Sequence, residues 1–357
     1  MDIYVKEVVR GWKEFTLTNN IIEISILNFG GIITKICTPD QHGNTENIVW
    51  TFNNYYDYEK NPLYLGALIG RVSGRIPDGR FKINQQAYQL EQNEGTSHLH
   101  GGSDGFHQIL WDTQIKKTES TAELQLTTKD IASSGGYPGC LNVSITYRLT
   151  KENEFSIHYR AVPDTATILS LTNHTYFNLS GNMKNSIYQH HVTIPSSTIL
   201  ELDNSLLPTG RLLDVTDTAF DFRSGALLRK GLKSLPDIKQ LALADGYDHY
   251  FVFENKRSYV DVYEQTSGRT LSIETNQPGM VMYTANQGSQ GYALTDGPLP
   301  AHYGVCFETA NTPLALYQDK LPSMIIQAGA LYDKTTTFQF GTRQPFSSAN
   351  KNRTSNQ

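Results

Sequence analysis

Alternation with a period of two residues recurs along this chain and constrains its fold more than any other feature. Ile22, Ile24 and Ile26 are separated by Glu23 and Ser25. A strand places all three isoleucines on one face, whereas a helix would scatter them around its circumference. Val143, Ile145, Tyr147 and Leu149 alternate with Ser144, Thr146, Arg148 and Thr150, and Phe155, Ile157, Tyr159 and Ala161 alternate with Ser156, His158 and Arg160. The polar run Lys151-Glu152-Asn153-Glu154 between them predicts a hairpin. A second hairpin is predicted where Tyr259 to Tyr263 meets Thr270 to Ile273 across Thr266-Ser267-Gly268-Arg269, whose glycine can take a positive φ. Helical signal is confined to the pieces from Ala226 to Leu232 and from Ile238 to Ala244, interrupted by Gly231 and Pro236. With no strand–helix–strand rhythm to suggest a parallel sheet, the expectation is all-β: a large antiparallel β-sandwich or barrel with a few short helices.

The 357 residues show no fixed-period repeat and no Ser/Gly/Pro-rich linker, so one domain is expected over residues 1–343, followed by a polar, disordered tail at 344–357. The 30 Lys+Arg against 35 Asp+Glu leave a net charge of -5. No basic field exists to attract phosphate backbones or anionic lipid, which makes nucleic acid and membrane surfaces poor partners. Charges at Asp2, Lys6, Glu7, Arg10, Lys13 and Glu14 interrupt any apolar secretory core near the start. No later segment reaches the roughly 20 apolar residues of a membrane helix, so a soluble, cytoplasmic protein is expected. Cys37, Cys140 and Cys306 form no Cys-x-x-Cys pair and read as reduced thiols outside any zinc or redox site.

Chemistry concentrates in a few segments. His98-Leu99-His100 on an extended stretch would point both imidazoles to one side, as a metal pair does, but no third ligand follows at a convincing spacing. Gly101-Gly102 suggests backbone held close to something bulky. Asn173-His174-Thr175-Tyr176-Phe177-Asn178-Leu179 combines aromatic faces with amide and imidazole donors, the groups a sugar ring needs; a buried structural hydrogen-bond network is the alternative. Glu308 follows apolar Val305-Cys306-Phe307 and precedes a loop, a setting for a base with a perturbed pKa or for a salt-bridge partner. Arg71 and Arg75 flank Val72-Ser73-Gly74, and one of them could be aimed at a substrate oxygen.

Taken in order, these segments resemble one family, the aldose 1-epimerases or galactose mutarotases. The blocks are Tyr64 to Val72 with Arg75-Ile76; His98 to Gly102 with Gly105-Phe106 and Trp111; Asn173 to Leu179; Pro208-Thr209-Gly210 with Phe220-Asp221-Phe222; Tyr247-Asp248-His249; Gln277-Pro278-Gly279; and Phe307-Glu308-Thr309. The resemblance spans from Asn28-Phe29-Gly30 to about Phe340. It implies a galactose mutarotase-like supersandwich that interconverts the α and β anomers of free aldohexoses such as D-galactose and D-glucose, as a monomer or weak homodimer, with no cofactor and no metal. It implies Glu308 as general base and His174 as general acid, with His100, Arg75, Asp248 and Gln277 as substrate-binding residues. His174 would then be charged near neutral pH, with a neighbouring carboxylate, Asp248 being one candidate, raising its pKa. One departure is Gly74, where many members carry Asn before the arginine matched to Arg75; a contact to a sugar hydroxyl is lost or replaced by water. Two other readings compete: a non-catalytic carbohydrate-binding protein, and a hexose-6-phosphate 1-epimerase, which would need clustered cations at the pocket mouth.

Overall fold

The computed structural model describes residues 1–130, 134–255 and 258–343; the expected polar tail at 344–357 lies outside them. Three large sheets make up the body. The nine-stranded sheet runs, edge to edge, through Asp112–Lys117, Thr121–Asp130, Leu141–Thr150, Glu154–Pro163, Tyr332–Thr342, Arg269–Thr275, Ser258–Glu264, His190–Thr193 and Ala226–Leu227. The five-stranded sheet holds Asp2–Glu7, Lys13–Thr18, Glu23–Leu27, Ile33–Pro39 and Thr45–Asn47 in chain order. The six-stranded sheet runs through Tyr176–Phe177, Val305–Thr309, Gly279–Tyr283, Asp248–Val252, Thr198–Leu202 and Pro208–Asp214. Neighbouring strands in these sheets pair antiparallel.

Both predicted hairpins form: Leu149 faces Phe155 across the first turn and Tyr263 faces Thr270 across the second. The period-two pattern decides which side chains go inward. Ile145, Tyr147, Leu149, Phe155 and Ile157 of the nine-stranded sheet join Leu17, Ile24 and Ile26 of the five-stranded sheet. Phe177, Met280, Met282 and Phe307 of the six-stranded sheet complete the same core. Each fully buried apolar side chain contributes about 1.5–3 kcal/mol of transfer free energy, so a one-residue slip, which would expose the whole inward set, is strongly disfavoured.

The helical pieces are shorter than expected. Ala226–Leu227 is a strand that extends the nine-stranded sheet by pairing with Val192 and His191, where the edge ladder satisfies its backbone groups. Helices remain at Arg229–Leu232 and Lys239–Ala244, the latter ending on Asp245 in the left-handed region.

Candidate active site

On the six-stranded sheet, alternation that sends Phe307, Met282, Met280 and Phe251 into the core sends Glu308, Tyr283, Val281, Tyr250 and Asp248 to the opposite face. Register aligns them: Val281 lies beside Glu308, Tyr250 beside Val281 and Asp248 beside Tyr283. These residues floor a cavity of about 270 Å³, which suits one small ligand rather than a polymer. Its walls come from the strand residue Arg75 and from loops carrying Tyr64, Glu94, His100 and His174.

His174 leaves the two-residue strand Thr172–Asn173 with its backbone held on both sides: its N–H donates to the Ala67 carbonyl (3.0 Å) and its carbonyl accepts from Gly66 (3.0 Å). The imidazole is wedged among Tyr64, His100, Tyr176 and Tyr283, ring centroids 5.0–6.3 Å away. Its Nε2 lies 3.5 Å from Glu308 Oε1, and its Nδ1 3.6 Å from Cys306 Sγ. Burial pushes the Glu308 carboxyl up to about 8; the Asp248 charge adds to this and Arg75 opposes it. Burial pushes His174 down to about 4. The carboxylate nearest His174 is therefore Glu308, and Asp248 instead faces Arg75, Nη1 to Oδ2 3.8 Å. The expected imidazolium is corrected accordingly: buried as they are, both groups favour their neutral forms, because an uncompensated buried charge costs more than a buried dipole. The pair still holds one mobile proton, and its titration steps belong to both groups together.

Arg75 is gripped by Glu94 through two hydrogen bonds, Nε to Oε2 at 2.6 Å and Nη2 to Oε1 at 2.8 Å. Arg71 is not a substrate group. It is 1% exposed, ion-paired to Asp130 and bonded to the Pro138 and Gly139 carbonyls. Gln277 lies outside the cavity lining: its Nε2 donates to the Leu171 carbonyl and the Tyr332 hydroxyl, while its buried Oε1 has no hydrogen-bond partner among the described residues.

The two histidines of the His-x-His segment do not share a face. The strand ends at Leu99 and His100 takes a left-handed φ of 53°, so His100 enters the cavity while His98 is enclosed by the Glu91 carbonyl and Tyr137 hydroxyl, each at 2.7 Å. Gly101, at φ 90°, explains the glycine pair: a Cβ there would meet the Gly70 carbonyl oxygen at 1.9 Å, so the close approach is chain to chain. His100, His174 and Glu308 bring ligand-capable atoms within 4.8 Å of one another. The Gly74 N–H, however, donates to His100 Nδ1 (3.2 Å). That bond leaves the proton on Nε2 and makes His100 a donor toward the cavity, where metal-bound histidines have their far N–H donating outward. The set suits hydroxyl oxygens better than a cation.

Sequence reasoning missed Glu94, Cys306, Tyr64 and Tyr283. Alternation back from Glu308 could have flagged Cys306; Glu94 sits in an aperiodic loop with no signal beyond the need of Arg75 for a counter-charge.

Known proteins resemble this chain over most of its length. The family model described as aldose 1-epimerase matches residues 13–339. The galactose mutarotases of Pongo abelii and Homo sapiens are each 35% identical over 337 residues, 92% of this chain and 94% of theirs. An aldose 1-epimerase from Streptococcus thermophilus is 33% identical, covering 90% of this chain and 92% of its own. The crystal structure of galactose 1-epimerase from Lactobacillus acidophilus superposes with a TM-score of 0.83 at 26% identity, over 96% of this chain and 98% of that one. With a family model covering most of its length and relatives matched nearly end to end, the chain belongs to the aldose 1-epimerase family.

Proposed function

We infer that this protein is a mutarotase acting on free aldohexoses, galactose and glucose first among them, and that Glu308 and His174 carry the proton transfers. The observation that carries the reading is a carboxyl and an imidazole 3.5 Å apart in one cavity sized for a small ligand. The anomeric hydroxyl and the ring oxygen are attached to the same carbon, so two groups this close can serve both.

Ring opening starts from the ion-paired form of the couple. Glu308 takes the C1 hydroxyl proton, His174 gives its proton to the ring oxygen, the C1–O5 bond breaks and C1 becomes an aldehyde. The couple is left as neutral acid and neutral imidazole, the form its burial favours. After rotation about C1–C2 the same groups return the protons, and reclosure on the other carbonyl face yields the other anomer. Only protons move, so the chemistry asks for no cofactor. Arg75, held by Glu94, and Asp248, His100, Tyr64 and Tyr283 offer hydrogen bonds and ring faces to the sugar.

The sugar phosphate reading is disfavoured by charge. Arg75 is the one Lys or Arg lining the described cavity, and Glu94 and Asp248 already face it, so little positive field is left for a dianion. The silent binding reading predicts loss of the acid or base, yet both are present. We place the enzyme in the cytoplasm as a monomer or weak homodimer; among the described residues no helix is long and apolar enough to cross a membrane. Polarimetry of freshly dissolved α-D-galactose, with glucose and galactose 6-phosphate alongside, tests the reading. Faster relaxation with the free sugars supports it; sugar binding without acceleration would favour the silent module.

A further inference from the structure

The strand Val305–Thr309 addresses both nitrogens of one imidazole. Cys306 and Glu308, two residues apart, project to the same face, Cys306 Sγ to His174 Nδ1 at 3.6 Å and Glu308 Oε1 to His174 Nε2 at 3.5 Å. Cys306 is 0% exposed and paired in register with Tyr176, whose ring lies 5.0 Å from that of His174. Catalytic histidines commonly set their far nitrogen against a carboxylate, which orients the ring and stabilises its charged form. Here a thiol occupies that place. The other groups packed around His174 are Tyr64, Tyr176, Tyr283 and His100; of the remaining charges of the site, Arg75 and Asp248 act on Glu308, and Glu94 is ion-paired to Arg75.

We propose that Cys306 is a positioning residue for the acid: its thiol holds His174 with Nε2 toward Glu308 and the sugar, and by being neutral it keeps the imidazolium a strong proton donor. The inference rests on the assignment of His174 as the acid. A thiol suits the task because its sulfur accepts from Nδ1–H both in the imidazolium and in the neutral ring left when Nε2 gives up its proton, and its S–H can donate to Nδ1 in the other neutral tautomer, so the buried nitrogen is never unpartnered. A carboxylate can only accept, and would hold the proton on the ring when the mechanism needs it released. The thiol remains protonated throughout the working range, since burial raises it well above its usual value and Glu308 adds to that.

The test is a set of three variants of the full chain, read by the pH dependence of kcat/KM, by the kcat and KM split, and by ¹⁵N NMR of the His174 ring. Cys306→Ser should keep the wild-type profile with kcat within about threefold, since a hydroxyl also donates and accepts. Cys306→Ala should lower kcat about tenfold with little change in KM and should shift the His174 Nδ1 signal. Cys306→Asp should move the acid limb up by about one pH unit or more. Wild-type kcat and unchanged ring signals in Cys306→Ala would overturn the proposal. If Cys306→Asp fails to fold, the Ser and Ala pair still decides. The ring signals report the contact whatever His174 does in turnover; near-normal turnover in His174→Asn would instead remove the acid assignment beneath it.

Discussion

Glu308 and His174 are pushed in opposite directions by one cause, removal from water, and this shapes how activity depends on pH. The couple works when it holds one proton. Below about 4 the imidazole of His174 gains a second proton for the couple, and above about 8 Glu308 loses the last one. The kcat/KM profile should therefore be bell-shaped, with limbs near those two values that belong to the pair rather than to either residue. A profile flat from pH 3 to 10 would rule out the couple as proton carrier. Glu308→Gln and His174→Asn should each lower kcat by about 10²–10⁴-fold with much smaller effects on KM, because each removes a positioned proton carrier while leaving the cavity shape in place. Stopped-flow polarimetry of the two variants measures this directly.

Between elements, the site depends on how loops are clamped to the sheet. The Arg75–Ile76 strand pairs with His98–Leu99, and Glu94, in the loop between them, grips the Arg75 guanidinium. Glu94→Gln should keep kcat within about threefold and raise KM about tenfold, since a planar fork freed from its clamp loses the geometry that a sugar hydroxyl requires; steady-state kinetics on galactose checks it. The turn that carries His100 into the cavity needs Gly101 for the close approach to Gly70. Gly101→Ala should destabilise the fold by about 2–4 kcal/mol, through the positive φ and the backbone clash together, visible as a lowered Tm.

For the whole molecule, a carboxyl kept protonated inside the fold is a cost that grows with pH. Glu308 is raised from an ordinary 4.5 to about 8. Above 4.5 the unfolded chain gives up a proton the native state retains, so stability falls as pH rises toward 8. His174, lowered from 6.5, penalises the fold on the acid side. Glu308→Gln should therefore be more stable than the parent, by about 1–3 kcal/mol at pH 8 and by less at pH 5. Denaturant melts at the two pH values test this, and an advantage that shrinks toward pH 8 would contradict it. How much could be read from sequence follows the range of the physics. Alternation is a local property, so Ile22 to Ile26 and the Val143–Ala161 hairpin specified strands, faces and an antiparallel all-β fold by themselves. The ordered motifs likewise marked Glu308, His174, His100, Arg75 and Asp248 as candidates, four of which meet His174 around one cavity. Only the tertiary structure decided which carboxylate lies beside His174, that His98 turns away from His100, that Arg71 is ion-paired to Asp130, that Gln277 lies outside the cavity lining, and that Glu94 and Cys306 lie against Arg75 and His174. Each of those outcomes depends on contacts between segments tens to hundreds of residues apart, and on a desolvation that exists only once the sheets have closed over the pocket floor.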